Sequence, residues 1–464
     1  MNELNKDNGF DLDLSKAEQK SRWAEQEIQR LSEIAEGILK RARERGASQA
    51  DVSASIHAGL SATVRMGEVE TLEYSRDRGV GITVYFGQRK GGASSADLSP
   101  GSIDESLDMA CSIARLAEPD PCHGLADPEQ MATEPVELDG WHPWEIAPDQ
   151  AIELATRCEH AALGCDPLIK NSEGATVSSG STVAVFANSH GFVGSRRATR
   201  HSASCVVLAQ SDDSMQRDYW YDTRRCAADL QDMEEIGLEA GRRAVQRHGA
   251  RPVETATVPV LFLPETGRSL LGHLVGGVSG ANLYRRSSFL VDRAGEQLFP
   301  DHIQIREHPF QRRGLRSCWY DGEGVATRER SLIEDGVLTG YVLGSYSARK
   351  LGLSSTGNSG GVHNLTLEPG SQSRDDLLAQ MGRGLVVGEL MGQGVHLVTG
   401  DYSRGASGFW VEDGRIAYPV EGVTIAGNLE QMFKGIVGVG NDLDDRAALR
   451  SPSILIDRMT VAGQ

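Results

Sequence analysis

The chemistry open to this 464-residue sequence rests first on its 12 histidines and 7 cysteines, the side chains that most often ligate metals, attack carbonyls or move protons near neutral pH. A helix-borne zinc hydrolase needs two imidazoles about one turn apart and a carboxylate, because neutral ring nitrogens hold the ion while the acid deprotonates its water. No H-E-x-x-H is present. The histidines, at 57, 123, 142, 160, 190, 201, 248, 273, 302, 308, 363 and 396, are scattered, and each alone reads as a hydrogen-bonded surface or core group. The cysteines, at 111, 122, 158, 165, 205, 226 and 318, are odd in number and lack a C-x-x-C pair. They read as reduced, mostly buried thiols rather than disulfides, metal ligands or nucleophiles. No G-x-S-x-G follows a strand, so a serine elbow is not indicated.

Two glycine clusters, 276–280 (GGVSG) and 357–361 (GNSGG), match neither a Walker loop nor a dinucleotide fingerprint. Tight turns and close backbone approach are the expected use. The pair Arg285 and Arg286 and the run Arg312, Arg313 and Arg316 stand out in an acidic chain. They could hold a peptide carboxylate or an acidic partner surface, or simply be solvated.

The elements that must position such groups come from a chain long enough for two to four domains with a large core. Forty-seven basic and 65 acidic residues leave a net charge of −18, which repels phosphate backbones and anionic headgroups. Direct nucleic-acid binding is therefore not expected. The N-terminus lacks a cationic start with an apolar stretch, and no run approaches 18 apolar residues, so the expectation is a cytoplasmic protein without a membrane span.

Residues 1–15 read as a flexible tail. Leu31, Ile34, Ala35, Ile38, Leu39 and Ala42 then recur at helical spacing over 16–45, with Gly46 as a stop. Alternation predicts strands at 52–56, 61–66 and 79–87, and a helix with a capping box at Ser102 and Glu105. These make an N-terminal α+β domain, 16–117. A Pro-containing stretch, 118–135, supports neither helix nor central strand and marks a boundary. A central α+β domain, 136–250, follows, with helices at 148–163 and 229–248 around strands at 182–187, 193–195 and 202–209. From 252 to 464 short strands and glycine turns predict a β-rich domain, with hairpins at Asp335 and Gly336 and at Asp413 and Gly414. The fold class is α+β: an N-terminal α/β sandwich-like region followed by the β-rich domain.

The segment 261–290 (LFLPETGRSLLGHLVGGVSGANLYRRSSFL) resembles the TldD/PmbA family, in its PmbA (TldE) branch. So, in order, do 78–95 (RGVGITVYFGQRKGGASS), 338–350 (LTGYVLGSYSARK), 355–358 (STGN) and 420–442 (VEGVTIAGNLEQMFKGIVGVGND). The resemblance implies a two-subunit peptidase of the bacterial cytoplasm. In the TldD branch a helix carries H-E-x-x-x-H, and a cysteine near the C-terminus is the third zinc ligand. Laid over that pattern, Gly272 stands at the first His, His273 at the Glu, Gly276 at a position that is also Gly in the family, and Gly277 at the second His. Cys318 is the last cysteine, so no thiolate is available near the C-terminus.

Glycine has no donor atom, and the loss of both His, the Glu and the Cys removes ligation and the general base together. The resemblance thus implies the non-catalytic subunit, with no cofactor in this chain, zinc in a TldD-like partner, and unfolded peptides, of the microcin precursor and antitoxin kind, as substrates held by strand addition. Gly272–Gly280 and Tyr284, Arg285 and Arg286 are expected to line a shared cavity, the last three touching peptide or partner. The alternatives are a peptidase active on its own, using His273 and distant ligands, or a stand-alone peptide-binding homodimer, a form the isolated chain could also adopt without its partner.

Overall fold

The alternation of Val52, Ala54 and Ile56 runs on through Leu60, Ala62 and Val64, and the result is one strand, β1 (Gln49–Arg65), in place of the two expected. The period of two keeps one row of side chains buried along the strand, with only Ala58 in that row half-buried. The computed structural model describes residues 14–212 and 214–463. Of the expected tail, residues 1–13 lie outside the described residues, while Leu14 and Ser15 already belong to helix α1 (Leu14–Glu44). Met66 and Gly67, both at positive φ, turn β1 back into β2 (Glu68–Phe86). Residues 68–78 of β2 are exposed on both faces, so they carry no amphipathic pattern and escaped the sequence reading.

β3 (Arg89–Ser95) and α2 (Pro100–Leu116) follow. The capping box expected at Ser102 is not formed. Ser99 holds the N-cap position and Pro100, whose fixed φ suits the first helical residue, starts the helix earlier. The Ser102 hydroxyl instead lies 2.8 Å from that of Ser95. Beyond the Pro-containing stretch come α3 (Pro148–Leu163), β4 (Ile169–Asn188), β5 (Val193–Gln210), β6 (Met215–Arg224) and α4 (Met233–Gln246). The last helix begins later than 229, because the Asp232 carboxylate accepts from the Glu234 N–H and caps it there.

Strands from both sides of 118–135 share a single antiparallel sheet in the order β3-β2-β1-β4-β5-β6, joined where β1 pairs with β4. All four helices cover the same face. α1 and α2 pack on Val52, Ala54, Ile56, Val183 and Val185, and α3 and α4 on Val64, Val177, Ala203 and Val207. The other face presents Ser53, Ser55, Gly81, Ala184 and Arg196 to a groove.

The remainder of the chain runs β7 (Ala256–Phe262), α5 (Pro264–Gly277), α6 (Gly280–Tyr284), β8 (Ile305–Glu307), β9 (Arg330–Glu334), β10 (Val337–Leu338), α7 (Ser345–Leu351), β11 (Leu365–Leu367), α8 (Arg374–Met381), β12 (Gly384–Met391), β13 (Val395–His396), β14 (Asp401–Glu412), β15 (Arg415–Asn428), α9 (Leu429–Lys434), β16 (Ile436–Val439), β17 (Leu449–Arg450) and β18 (Ile454–Ala462). The two Asp-Gly hairpins form as expected: Asp335 and Gly336 join β9 to β10, and Asp413 and Gly414 join β14 to β15, all four residues at positive φ. β12, β7, β18, β15 and β14 pair in succession, and β14 pairs again with β12. That closure removes free edges from the ring and encloses Val260, Phe262, Leu385, Val423 and Ile456.

A charged aromatic seam joins the two halves. The Arg446 guanidinium lies 4.0 Å from the Trp220 ring centroid and pairs with Asp444 at 2.8 Å and Glu265 of α5 at 3.4 Å. Arg268, also on α5, donates to the Tyr221 hydroxyl at 2.6 Å.

His201 is fully buried on the helix-covered face of the sheet, with Nε2 2.9 Å from the His142 carbonyl. Burial pushes its pKa down to about 4. The unfolded chain then takes up this proton near pH 6.5 while the folded chain does not, so the His201 contribution to stability falls as pH drops from about 6.5 toward 4. Urea unfolding at pH 7 and pH 5 should show wild type losing about 2 kcal/mol more than His201→Gln over that interval. Equal losses would mean that His201 titrates alike in both states.

Candidate functional site

Pro264 occupies the first turn of α5 just past β7, where its missing N–H leaves no bond unmade. Leu270, Leu271 and Leu274 then join the cluster inside the barrel. This packing sets the rotation of the helix. Gly272, His273 and Gly276 fall on a half-buried face, while Gly277 is buried.

The space beside these glycines differs from one to the next. A Cβ on Gly272 would meet only the Leu449 Cδ1 at 3.7 Å, an ordinary contact. On Gly276 it would meet the Leu397 Cδ1 at 3.1 Å. On Gly277 it would lie 2.9 Å from the Leu290 Cδ1 and 3.4 Å from the Phe289 ring, so even one methyl group requires a shift. The neighbours are held in place. The Ser288 hydroxyl donates to the Gly277 carbonyl and accepts from the Leu290 N–H at 3.0 Å, and the Phe289 N–H donates to the Leu397 carbonyl at 2.8 Å. The first of these bonds also satisfies an acceptor in the last helical turn, which has no partner within the helix.

His273 stands edge-on to Tyr402, with ring centroids 5.9 Å apart. Its Nε2 and the Tyr402 hydroxyl are both buried without a hydrogen-bond partner among the described residues. Burial, with Arg404 nearby, pulls the imidazole pKa down and keeps the ring neutral, and burial pushes the Tyr402 phenol up to about 12. Zinc asks for three or four N, S or O donors converging at about 2.0–2.3 Å. Here one imidazole faces an aromatic ring, Gly272 and Gly277 offer no donor atom, and leucine and phenylalanine fill the space beside Gly277. These residues do not fit the ion. Among the described residues no group of three or more His, Cys, Asp or Glu is gathered to hold one. Cys318 is buried elsewhere, its thiol donating to the Tyr320 carbonyl and accepting from the Arg196 Nη1 at 3.1 Å.

Tyr284, Arg285 and Arg286 sit at the end of α6, which approaches α7 so closely that a side chain on Gly280 would collide with Ser347. The Tyr284 ring meets Tyr346 edge-on at 5.8 Å, and Arg285 lies over Tyr284 at 5.3 Å. Tyr346 in turn donates to Asp120 at 2.9 Å, and Lys350 beside Asp120 holds that carboxyl well below the usual range. Arg286, at positive φ, makes a 3.5 Å pair with Asp292 in which both side chains are largely exposed. Such a pair adds little. The four α5 positions thus share one helix, and the three α6 positions form a separate group against α7.

The arginine run divides. Arg312 and Arg313 both pair with Asp139, at 3.2 and 2.9 Å, and Arg313 also with Asp229, whereas Arg316 meets only the Gly360 carbonyl and remains exposed. The sequence reading missed Arg196, Arg225 and Asp321, which line one cleft with Arg316. Asp321 is buried and accepts from the N–H groups of Glu323, Val325 and Ser359, and burial pushes its pKa up to about 6. These residues come from distant segments, so no local spacing could have found them.

Three family models match the chain: the PmbA/TldA metallopeptidase domain 1 over residues 50–114, the central domain over 141–247 and the C-terminal domain over 255–463. The metalloprotease PmbA of Escherichia coli O157:H7 is 49% identical over 415 residues, covering 89% of this chain and 92% of that protein. The PmbA homolog of Haemophilus influenzae is 42% identical over 440 residues, covering 95% and 97%, while the TldD homolog of the same organism is 28% identical over 251 residues, about half of each. A crystal structure from Bacteroides thetaiotaomicron, described as a candidate modulator of DNA gyrase, superposes with a TM-score of 0.88 at 25% identity over 93% of this chain and 99% of that one. The fold is shared as well by TldE from Thermococcus kodakarensis, with a TM-score of 0.82 at 23% identity over 92% and 99%.

Alanine at the two outer glycines of the motif should act in opposite directions. Gly272→Ala gains helix propensity without a clash and should stabilise by about 0.5–1 kcal/mol, whereas Gly277→Ala should cost about 1–3 kcal/mol through overpacking on Leu290. Chemical denaturation of both variants checks this, and equal effects would contradict the packing described.

Proposed function

The chain belongs to the PmbA/TldD metallopeptidase family, and from that premise we propose that it is the non-catalytic, PmbA/TldE-type subunit of a heteromeric zinc peptidase that trims unfolded peptides. A TldD-like subunit supplies the zinc and the general base. The observation that carries this reading is the motif helix: glycines at both imidazole positions, with Leu290 and Phe289 packed into the second. The greater likeness to the Haemophilus PmbA homolog than to the TldD homolog supports the branch.

On this reading, the half-buried face of α5, from Gly272 to Gly276, and the α6 group of Tyr284, Arg285 and Arg286 form a wall of the chamber in which the partner works. Small residues on that wall leave room for a peptide backbone, and main-chain pairing accepts many sequences while excluding folded proteins. The substrates are unfolded peptides of the microcin precursor and antitoxin kind. The complex is cytoplasmic; no described helix is long and apolar enough to cross a membrane. A net charge of −18 favours an indirect route for any effect on DNA gyrase.

Co-expression with a TldD-like subunit tests the proposal. The expected result is a stable complex that hydrolyses an unstructured peptide, with no hydrolysis by this chain alone. Failure to form a complex, together with equal peptide degradation by the partner alone, would overturn it.

A further inference from the structure

β6 pairs with β5 only from His201 onward, so residues 193–200 of β5 form a sheet edge. The edge is partly covered. The Thr199 N–H donates to the Gly140 carbonyl at 2.9 Å and the Thr199 carbonyl accepts from Arg225. Ser195 and Arg197 have the same parity as Thr199, so their backbone groups also point away from β4. Among the described residues these groups make no hydrogen bond to another backbone, although Gly140 lies beside the Arg197 carbonyl. This open edge borders a cleft of about 980 Å³ walled by residues 135–141 and 314–319. Through Ala184, Arg196 and Gly322 the cleft runs into a groove of about 580 Å³ along the uncovered face of the sheet, floored by Ser53, Ser55 and Gly81.

The charges in the cleft are unbalanced in their pairing. Of the acidic groups lining it, Asp139 is engaged by Arg312 and Arg313, Glu25 by Arg197 at 3.8 Å, Glu137 by the Asp139 N–H, and Asp321 by three backbone N–H groups. Three guanidinium groups are left without a carboxylate. Arg316 donates to the Gly360 carbonyl, Arg196 rests against Cys318 and the Tyr320 ring, and Arg225 donates to the carbonyls of Thr199, Gly314 and Leu315. Arg225 is pushed down to about 10, first by burial and then by the neighbouring Arg200 and Arg316. Guanidinium groups that meet only carbonyls, a thiol and a ring keep donors for an incoming carboxylate.

We propose that this cleft binds the C-terminal carboxylate of an extended peptide at Arg316 and Arg196, with the peptide backbone pairing along the open edge of β5 at Ser195 and Arg197. The proposal deepens the function given above and rests on it in taking the ligand to be a peptide. Guanidinium groups supply paired donors to a planar carboxylate, and the strand edge supplies sequence-independent bonds, so one end of the ligand is fixed while its side chains stay unread.

Fluorescence anisotropy on the purified full-length chain, without any partner, tests this with a labelled unstructured octapeptide carrying either a free C-terminal carboxylate or a C-terminal amide. The acid should bind at least about tenfold more tightly than the amide. Arg316→Gln and, independently, Arg196→Gln should each remove most of that difference, whereas Arg312→Gln, whose side chain is already paired, should leave it in place. Equal binding of acid and amide would overturn the proposal, as would wild-type discrimination in both the Arg316 and Arg196 variants. Displacement by inorganic phosphate in the absence of any acid preference would overturn it too, marking a site for small anions only. Co-purification of Arg316→Gln with the TldD-like subunit reads complex formation separately, so failure of the cleft and failure of the subunit role are told apart.

Discussion

The last turn of α5 is closed by packing. Leu290 and Phe289 lie against the bare backbone of Gly277, and the Ser288 hydroxyl, bonded to both the Gly277 carbonyl and the Leu290 N–H, keeps them there. A side chain at this position would have to displace a buried leucine, and protein interiors are too dense to absorb that freely. This helix therefore differs from a metal-binding one by more than missing donors. The space beside Gly277 is filled as well, so a histidine placed there would not by itself make a site.

The rest of the fold keeps that helix in place. A closed five-strand ring receives Leu270, Leu271 and Leu274, and the seam of Arg446, Arg268, Trp220 and Tyr221 ties the start of α5 to the six-stranded sheet. Arg446, Asp444 and Glu265 are nearly buried there, so removing one partner would leave a charge in low dielectric, while the intact set fixes geometry more than it adds stability. With all four helices on one face of the sheet, part of the other face and part of the β5 edge border the cleft, where Arg196, Arg225 and Arg316 lie without a carboxylate partner.

Much of the fold was legible in the sequence where one face of an element is buried. The α3 boundaries follow from its pattern, and both Asp-Gly hairpins from their turn chemistry. What could not be read were features without a face or a local spacing. Residues 68–78 are exposed on both sides and left no alternation, and the pairing of β1 with β4 joins segments separated by two strands, two helices and a long irregular stretch. Likewise the motif glycines could be placed by resemblance, but the filling of the space at Gly277 by Leu290 could not. The arginine run 312–316 was noticed, yet its division into two residues paired with carboxylates and one bonded only to a carbonyl depends on Asp139 and Asp229, far away along the chain.

The central claim is that this chain shapes a chamber and leaves the metal chemistry to another subunit. Elemental analysis of the purified chain, after incubation with zinc and removal of loosely bound ion, addresses it most directly. The account predicts substoichiometric metal and no peptide hydrolysis by the chain alone. One tightly held zinc per chain, ligated by its own side chains and accompanied by hydrolysis, would contradict it.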